Sequence, residues 1–263
     1  MVDMILASLV LGLIAGLLAG LFGIGGGLVI VPVLVILFTQ QGLPPEHILL
    51  MAIATSLATI ILTAISSVSA HHRLGAVIWP KVYRLSMMII LGAGIGASVA
   101  KQLPTDILRY FLVTFLVYVG GLMALEIKPK ASKQQPSRYL DGIVALFIGL
   151  ISSLVGIGGG TLTVPYLVHG QMPIRNAVAV ASACGLPIAL AGTVSYVTLG
   201  WHNPSLPNWS LGYVYLPAFA AVSITSIITA PLGAKLANQL PSTKLKRYFA
   251  ILLFIMAAKL LWN

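Results

Sequence analysis

Charged positions are so sparse along this chain that long apolar runs, not any short periodicity, set the expected elements. No Asp, Glu, Lys or Arg occurs over residues 4–45, 47–72 or 176–234. A soluble helix keeps a polar face. Runs of this length have none, and they suit bilayer crossings, which need about 20 apolar residues each. The pattern predicts helical segments near 4–38, 47–70, 82–100, 107–126, 140–169, 174–199, 212–236 and 245–262. The first of these cannot be one straight crossing: its 35 residues would measure roughly 52 Å as helix, against about 30 Å of hydrocarbon. It contains Gly23-Ile24-Gly25-Gly26-Gly27, and a break there, with Leu28–Phe38 turning back as a half-length piece, resolves the excess.

The glycine string recurs. Gly156-Ile157-Gly158-Gly159-Gly160 lies inside the fifth segment, and Pro32 and Pro165 follow the two strings at the same distance, an offset of 133. Gly96-Ala97 matches Gly233-Ala234, and Gln102-Leu103-Pro104 matches Gln239-Leu240-Pro241, both at 137. Arg-Tyr-Phe at 109–111 returns at 247–249, and Ala54-Thr55-Ser56 resembles Val180-Ala181-Ser182. The order of these features predicts two homologous repeats, 1–127 and 140–263, joined by a polar, proline-containing linker at 128–139. The expected fold class is all-α: a polytopic helical membrane protein whose repeats each hold a glycine-broken re-entrant segment and three transmembrane helices.

Composition agrees: 59% hydrophobic, 8% charged and a mean hydropathy of +1.02. Soluble domains carry about 25% charged residues. The net charge of +10 does not point to nucleic acid, because the basic residues sit in short loops between apolar spans, where they orient a membrane protein. Their distribution selects a topology. With eight simple spans and the linker inside, the cations divide eight against seven. If each glycine segment folds back, the second repeat is inverted relative to the first. Twelve cations then lie inside (Arg73, Lys81, Arg84, Lys128, Lys130, Lys133, Arg138, Arg175, Lys235, Lys244, Lys246 and Arg247) and three outside (Lys101, Arg109 and Lys259). The positive-inside rule favours the inverted arrangement. The linker is then cytoplasmic and the uncharged loop 202–212 external. The N-terminal run lacks the basic flank of a cleaved signal, and the single cysteine, Cys184, excludes a disulfide framework.

Glycine is a poor helix former, so four per string at mid-depth need a reason. Irregular backbone in a bilayer is tolerated only where it is buried or lines a cavity. Gly25, Gly26 and Gly27, and Gly158, Gly159 and Gly160, can take positive φ and admit close approach. Each triplet precedes a helical stretch whose start offers unpaired amides and a positive dipole end, an anion site without formal cations. Two such starts meeting from opposite sides is a transporter arrangement. Hydroxyls supply the second element: Thr55 and Ser56 after the first string, Ser182 at the matching place in the second repeat, and Thr161 directly after the second triplet. These are the candidate substrate-binding residues. Two plainer readings stand beside them. Membrane hydroxyls often bond a carbonyl one turn back. The spacings Gly12–Gly16–Gly20 and Gly92–Gly96 suit close helix packing. No charged side chain falls at a span centre; the five acids and five histidines all lie near predicted ends, and none has a metal-ligand spacing.

The strings GIGGGLVIVPVL (23–34) and GIGGGTLTVPYL (156–167), with Ala-Thr-Ser (54–56) and Ala-Ser (181–182) downstream, resemble the sulfite exporter TauE/SafE family over nearly the whole chain. Ala181 stands where the first repeat has Thr55. The resemblance implies a secondary transporter, not an enzyme, that exports a small sulfur oxyanion or organosulfonate such as sulfite or sulfoacetate across a prokaryotic cytoplasmic membrane. It implies no cofactor, metal or nucleic-acid partner; proton coupling and a homodimer are both compatible with it. An anion channel using the same half-helices as a filter is the alternative.

Overall fold

The computed structural model describes residues 2–22, 26–125, 137–237 and 242–262. Among them are ten helices and one short β-hairpin: α1 Val2–Phe22, α2 Gly27–Gln40, α3 Pro45–Arg73, α4 Trp79–Gln102, α5 Thr105–Ala124, α6 Arg138–Val155, α7 Gly160–His169, α8 Ile174–Gly200, β1 Ser210–Leu211, β2 Val214–Tyr215, α9 Leu216–Ala237 and α10 Ser242–Trp262. The protein is all-α and polytopic. Six helices (α3, α4, α5, α6, α8 and the first 18 residues of α9) are long and apolar enough to cross a bilayer. Both long segments with glycine strings are broken, into α1 and α2 and into α6 and α7. Gly23, Ile24 and Gly25 lie outside the described residues, as does nearly all of the linker.

The helices α3 and α8 are the most buried of the candidate spans and pack on each other at the centre. Around them, α1 packs on α9 and α4 on α6, both through glycine. A Cβ at Gly12 would collide with Val222 and Thr225, and one at Gly16 with Ser226 and Thr229. At Gly92 it would strike the Leu146 carbonyl, and at Gly96 the Leu150 carbonyl and Ser153 hydroxyl. The small-residue spacing thus lets backbones touch, where dispersion and not the hydrophobic effect holds helices together. In both pairs the residue numbers rise together, so the partners run parallel.

Polar bonds mark the two ends of the bundle. At one, Lys81 meets Asp141, Arg175 donates to the Leu74 carbonyl and Asn176 to that of Ala76, both at 2.9 Å. The starts of α4, α6 and α8 therefore share a level. At the other, Lys101 donates to the Leu199 carbonyl (2.9 Å) and His47 contacts Ser205 Oγ (2.8 Å), bringing together the ends of α4 and α8 and the start of α3. Since α6 and α8 begin at the same end, the α6–α7 segment leaves and returns. The Tyr166 hydroxyl confirms the reversal by donating to Asp141 Oδ1 at 2.6 Å. Had α7 continued in the direction of α6, roughly 30 Å of helix would separate those residues.

The outward surfaces of the peripheral helices are apolar: Val10, Met87, Leu91, Val117, Ile228 and Ile255 are all exposed. Soluble monomers rarely expose so continuous a surface, and it suits contact with lipid tails.

Candidate functional site

The two glycine strings form the same local structure. Gly26 (φ 74°) caps α2 and Gly159 (φ 73°) caps α7, both in the left-handed region that glycine enters at no steric penalty. The Gly26 carbonyl accepts from Val29 (3.0 Å) and Ile30 (3.2 Å), and the Gly159 carbonyl from Leu162 (3.1 Å) and Thr163 (2.8 Å). The amides of Gly27 and Leu28, and of Gly160 and Thr161, precede these first bonds and have no acceptor in their own helix. Pro32 and Pro165 lie inside the half-helices. Lacking an N–H, each leaves the carbonyl four residues earlier unpaired.

The strings also touch. A Cβ on Gly27 would collide with the Gly156 carbonyl, so the start of α2 sits directly against the turn that leads into α7. Gly156 (φ 77°) is wedged against Val31 and Ile53, and a Cβ at Gly185 on α8 would stand 2.9 Å from the Gly158 carbonyl. Gly26, Gly27, Gly158, Gly159 and Gly160 are all buried. The structure thus brings the predicted glycines together in one buried region, Gly25 excepted, which lies outside the described residues.

The hydroxyls divide into two groups. Those on α3 are committed to the scaffold: Thr55 Oγ1 accepts from the Tyr215 amide (3.0 Å), and Ser56 Oγ donates to the Gly156 carbonyl (2.8 Å). The two predicted hydroxyls of the second half are not. Ser182 and Thr161 have buried oxygens without a protein partner, and so do Thr163, which the sequence pairs with Thr161 after the second triplet, and Ser152, which the sequence reading did not place in the site. Ser152 Oγ lies 3.4 Å from where a Cβ on Gly159 would be. Buried hydroxyls are normally satisfied; Thr161 and Thr163 lie in the first turn of α7 and Ser152 beside its cap, while Ser8, Thr193, Ser210 and Ser223 elsewhere are partnerless as well.

A charged cluster lies at the start of α6 and reaches α7 through Tyr166. Asp141, in the first turn of α6, is fully buried. Lys81 Nζ lies 2.8 and 2.7 Å from its two oxygens, Arg84 Nη2 lies 2.6 Å from Oδ2, and Tyr166 of α7 donates to Oδ1. The expectation that acids sit near segment ends holds in sequence, yet this one is enclosed, because α4 and α7 close over the start of α6. At the opposite end, Glu46, His47, Lys101, Thr105 and Tyr213 contribute to a concavity of about 250 Å³.

Residues 8–260 match the profile of the family described as sulfite exporter TauE/SafE. The chain belongs to this family. A probable membrane transporter protein of Haemophilus influenzae is 38% identical over 258 residues, 98% of both chains. One of Methanocaldococcus jannaschii is 27% identical over 94% of this chain and 92% of its own, and one of Bacillus subtilis 28% over 97% and 96%. This TauE/SafE protein is a multi-pass membrane transporter.

Within this TauE/SafE chain the two halves are not chemically equal. At an offset of 133, Thr161 and Thr163 correspond to Leu28 and Ile30, and Asp141 to Ser8; at 137, Lys81 and Arg84 correspond to Ala218 and Ala221. Comparing the copies position by position was the available signal for Asp141 and also for Ser152, which corresponds to Ala19 at the same offset, though a membrane serine bonding its own helix looks the same in sequence.

Proposed function

We propose that this TauE/SafE transporter is a secondary carrier that exports a small sulfur oxyanion or organosulfonate, such as sulfite or sulfoacetate, across a prokaryotic cytoplasmic membrane. The substrate binds near the bilayer midplane between the starts of α2 and α7. Gly26, Gly27 and Gly158–Gly160 offer backbone donors, and Ser182, Thr161, Ser152 and Thr163 offer hydroxyls. Thr55 and Ser56 hold the surrounding walls. The observation that carries this reading is the pair of left-handed glycine caps, with the start of α2 seated on the Gly156 turn that leads to the second of them, beside partnerless buried hydroxyls. A packing role accounts for the close approach but not for the unsatisfied oxygens. The matched pairs α1–α9 and α4–α6, together with the doubling back of α6–α7, support two inverted repeats with re-entrant half-helices.

The test is sulfite flux in proteoliposomes. Thr163→Val and Ser182→Ala remove hydroxyls that no protein group uses, so both are expected to stay folded while losing most of the flux. Undiminished flux in both would sink the site. A carrier turns over at roughly 1–1,000 ions per second, in step with conformational cycling; flux far above that would favour the channel.

A further inference from the structure

The cluster around Asp141 is out of balance. Among the described residues, two partly exposed cations, Lys81 (18%) and Arg84 (32%), face one fully buried carboxylate. Arg84 Nε and Nη2 are buried without an acceptor in hydrogen-bonding geometry, although Nη2 stands 2.6 Å from Asp141 Oδ2. A buried ion pair is stable when its charges and donors are satisfied, and an uncompensated one is destabilising. The corresponding place in the other half holds Ser8, Ala218 and Ala221, so this charge is not required by the repeat's packing. What the cluster lacks is a second anion.

We propose that Lys81 and Arg84 form an oxyanion-capture site at the cytoplasmic end of the transporter, with Asp141 as the built-in anion that an arriving substrate partly displaces. This rests on the carrier reading above. One feature ties the site to the transport path. Tyr166, on the second turn of α7, is bonded to the same carboxylate, so a change at Arg84 is felt by the half-helix that begins at Gly160. A dissolved oxyanion and a lipid phosphate share the required chemistry. The burial of Arg84 Nε and Nη2, on a side chain that is otherwise a third exposed, favours the dissolved one.

The test measures sulfite affinity by calorimetry on the full chain in nanodiscs, with phosphatidylcholine alone and with added phosphatidylglycerol. Arg84→Gln is expected to weaken binding by about tenfold or more, the value of a charge-assisted donor pair, and Arg84→Lys by less. Asp141→Asn is expected to tighten it, because the competing anion is gone. A purely structural ion pair predicts the opposite: Asp141→Asn that stays folded but binds sulfite no better, or Arg84 variants with unchanged affinity. Either result overturns the proposal. Should Asp141→Asn not fold, the Arg84 pair decides alone. An Arg84 effect confined to one lipid composition assigns the site to a headgroup and also overturns it. Sulfite flux that persists with Arg84-independent binding removes this site and leaves the carrier. Arg84-dependent binding without flux does the reverse.

Discussion

Ser56 and Ser152 show how the same residue type can serve opposite ends. Ser56 Oγ donates to the carbonyl of Gly156, a hundred residues away, and fixes the glycine turn to α3. Ser56→Ala would leave that carbonyl unpaired in a dry interior, so we expect a loss of about 1–3 kcal/mol, read as a lower melting temperature in detergent. Ser152 Oγ has no partner. Ser152→Ala should therefore leave the melting temperature unchanged or raise it, while weakening sulfite transport. Equal destabilisation by the two substitutions would contradict the division of hydroxyls into structural and receptive sets. Gly27 is a third case: its missing Cβ is space used by the Gly156 carbonyl, and Gly27→Ala should disrupt the contact between the strings and abolish flux.

Among the elements, the glycine faces of α1 and α4 and the prolines of the half-helices carry the argument. Gly96 touches Leu150 and Ser153 across the α4–α6 contact. Gly96→Leu forces these backbones apart, and overpacking of this kind typically costs about 1–3 kcal/mol or more. Thermal unfolding of the purified protein should register it. Pro165 acts differently. In Pro165→Ala the helix regains the amide that pairs with the Thr161 carbonyl, so α7 should stiffen: we expect a higher melting temperature and slower turnover. Faster transport would argue against any movement of α7 in the cycle. Element boundaries were readable because charge and proline punctuate the apolar runs. The reversal at α6–α7 was readable from the recurrence of the glycine string within an overlong apolar run, together with the uneven distribution of lysine and arginine.

For the whole molecule, the bonds at the two ends of the bundle give the arrangement a direct test. With the repeats inverted, His202→Cys and Ser132→Cys should react with a membrane-impermeant thiol reagent from opposite sides of the membrane. Labelling from the same side would restore eight simple spans in parallel repeats. The native background is silent, because Cys184 is buried. Among the described residues, Lys81 and Arg84 of α4 and Arg175 of α8 lie at the same end of the bundle, the end that the inverted arrangement assigns to the cytoplasm.

The amino-acid order by itself determined the membrane class, the number and approximate limits of the helices, and the doubled glycine strings with their prolines. All of these follow from local composition: apolar length, helix-breaking residues and self-similarity. Tertiary structure decided which groups are spent and which remain. Thr55 and Ser56 look as available as Thr161 and Ser182 in sequence, yet only the latter lack partners, because the Tyr215 amide and the Gly156 carbonyl approach the former from distant parts of the chain. Asp141 looks like an interfacial acid until α4 and α7 enclose it. Whether a polar group is satisfied depends on neighbours brought together by folding, and no local pattern encodes them.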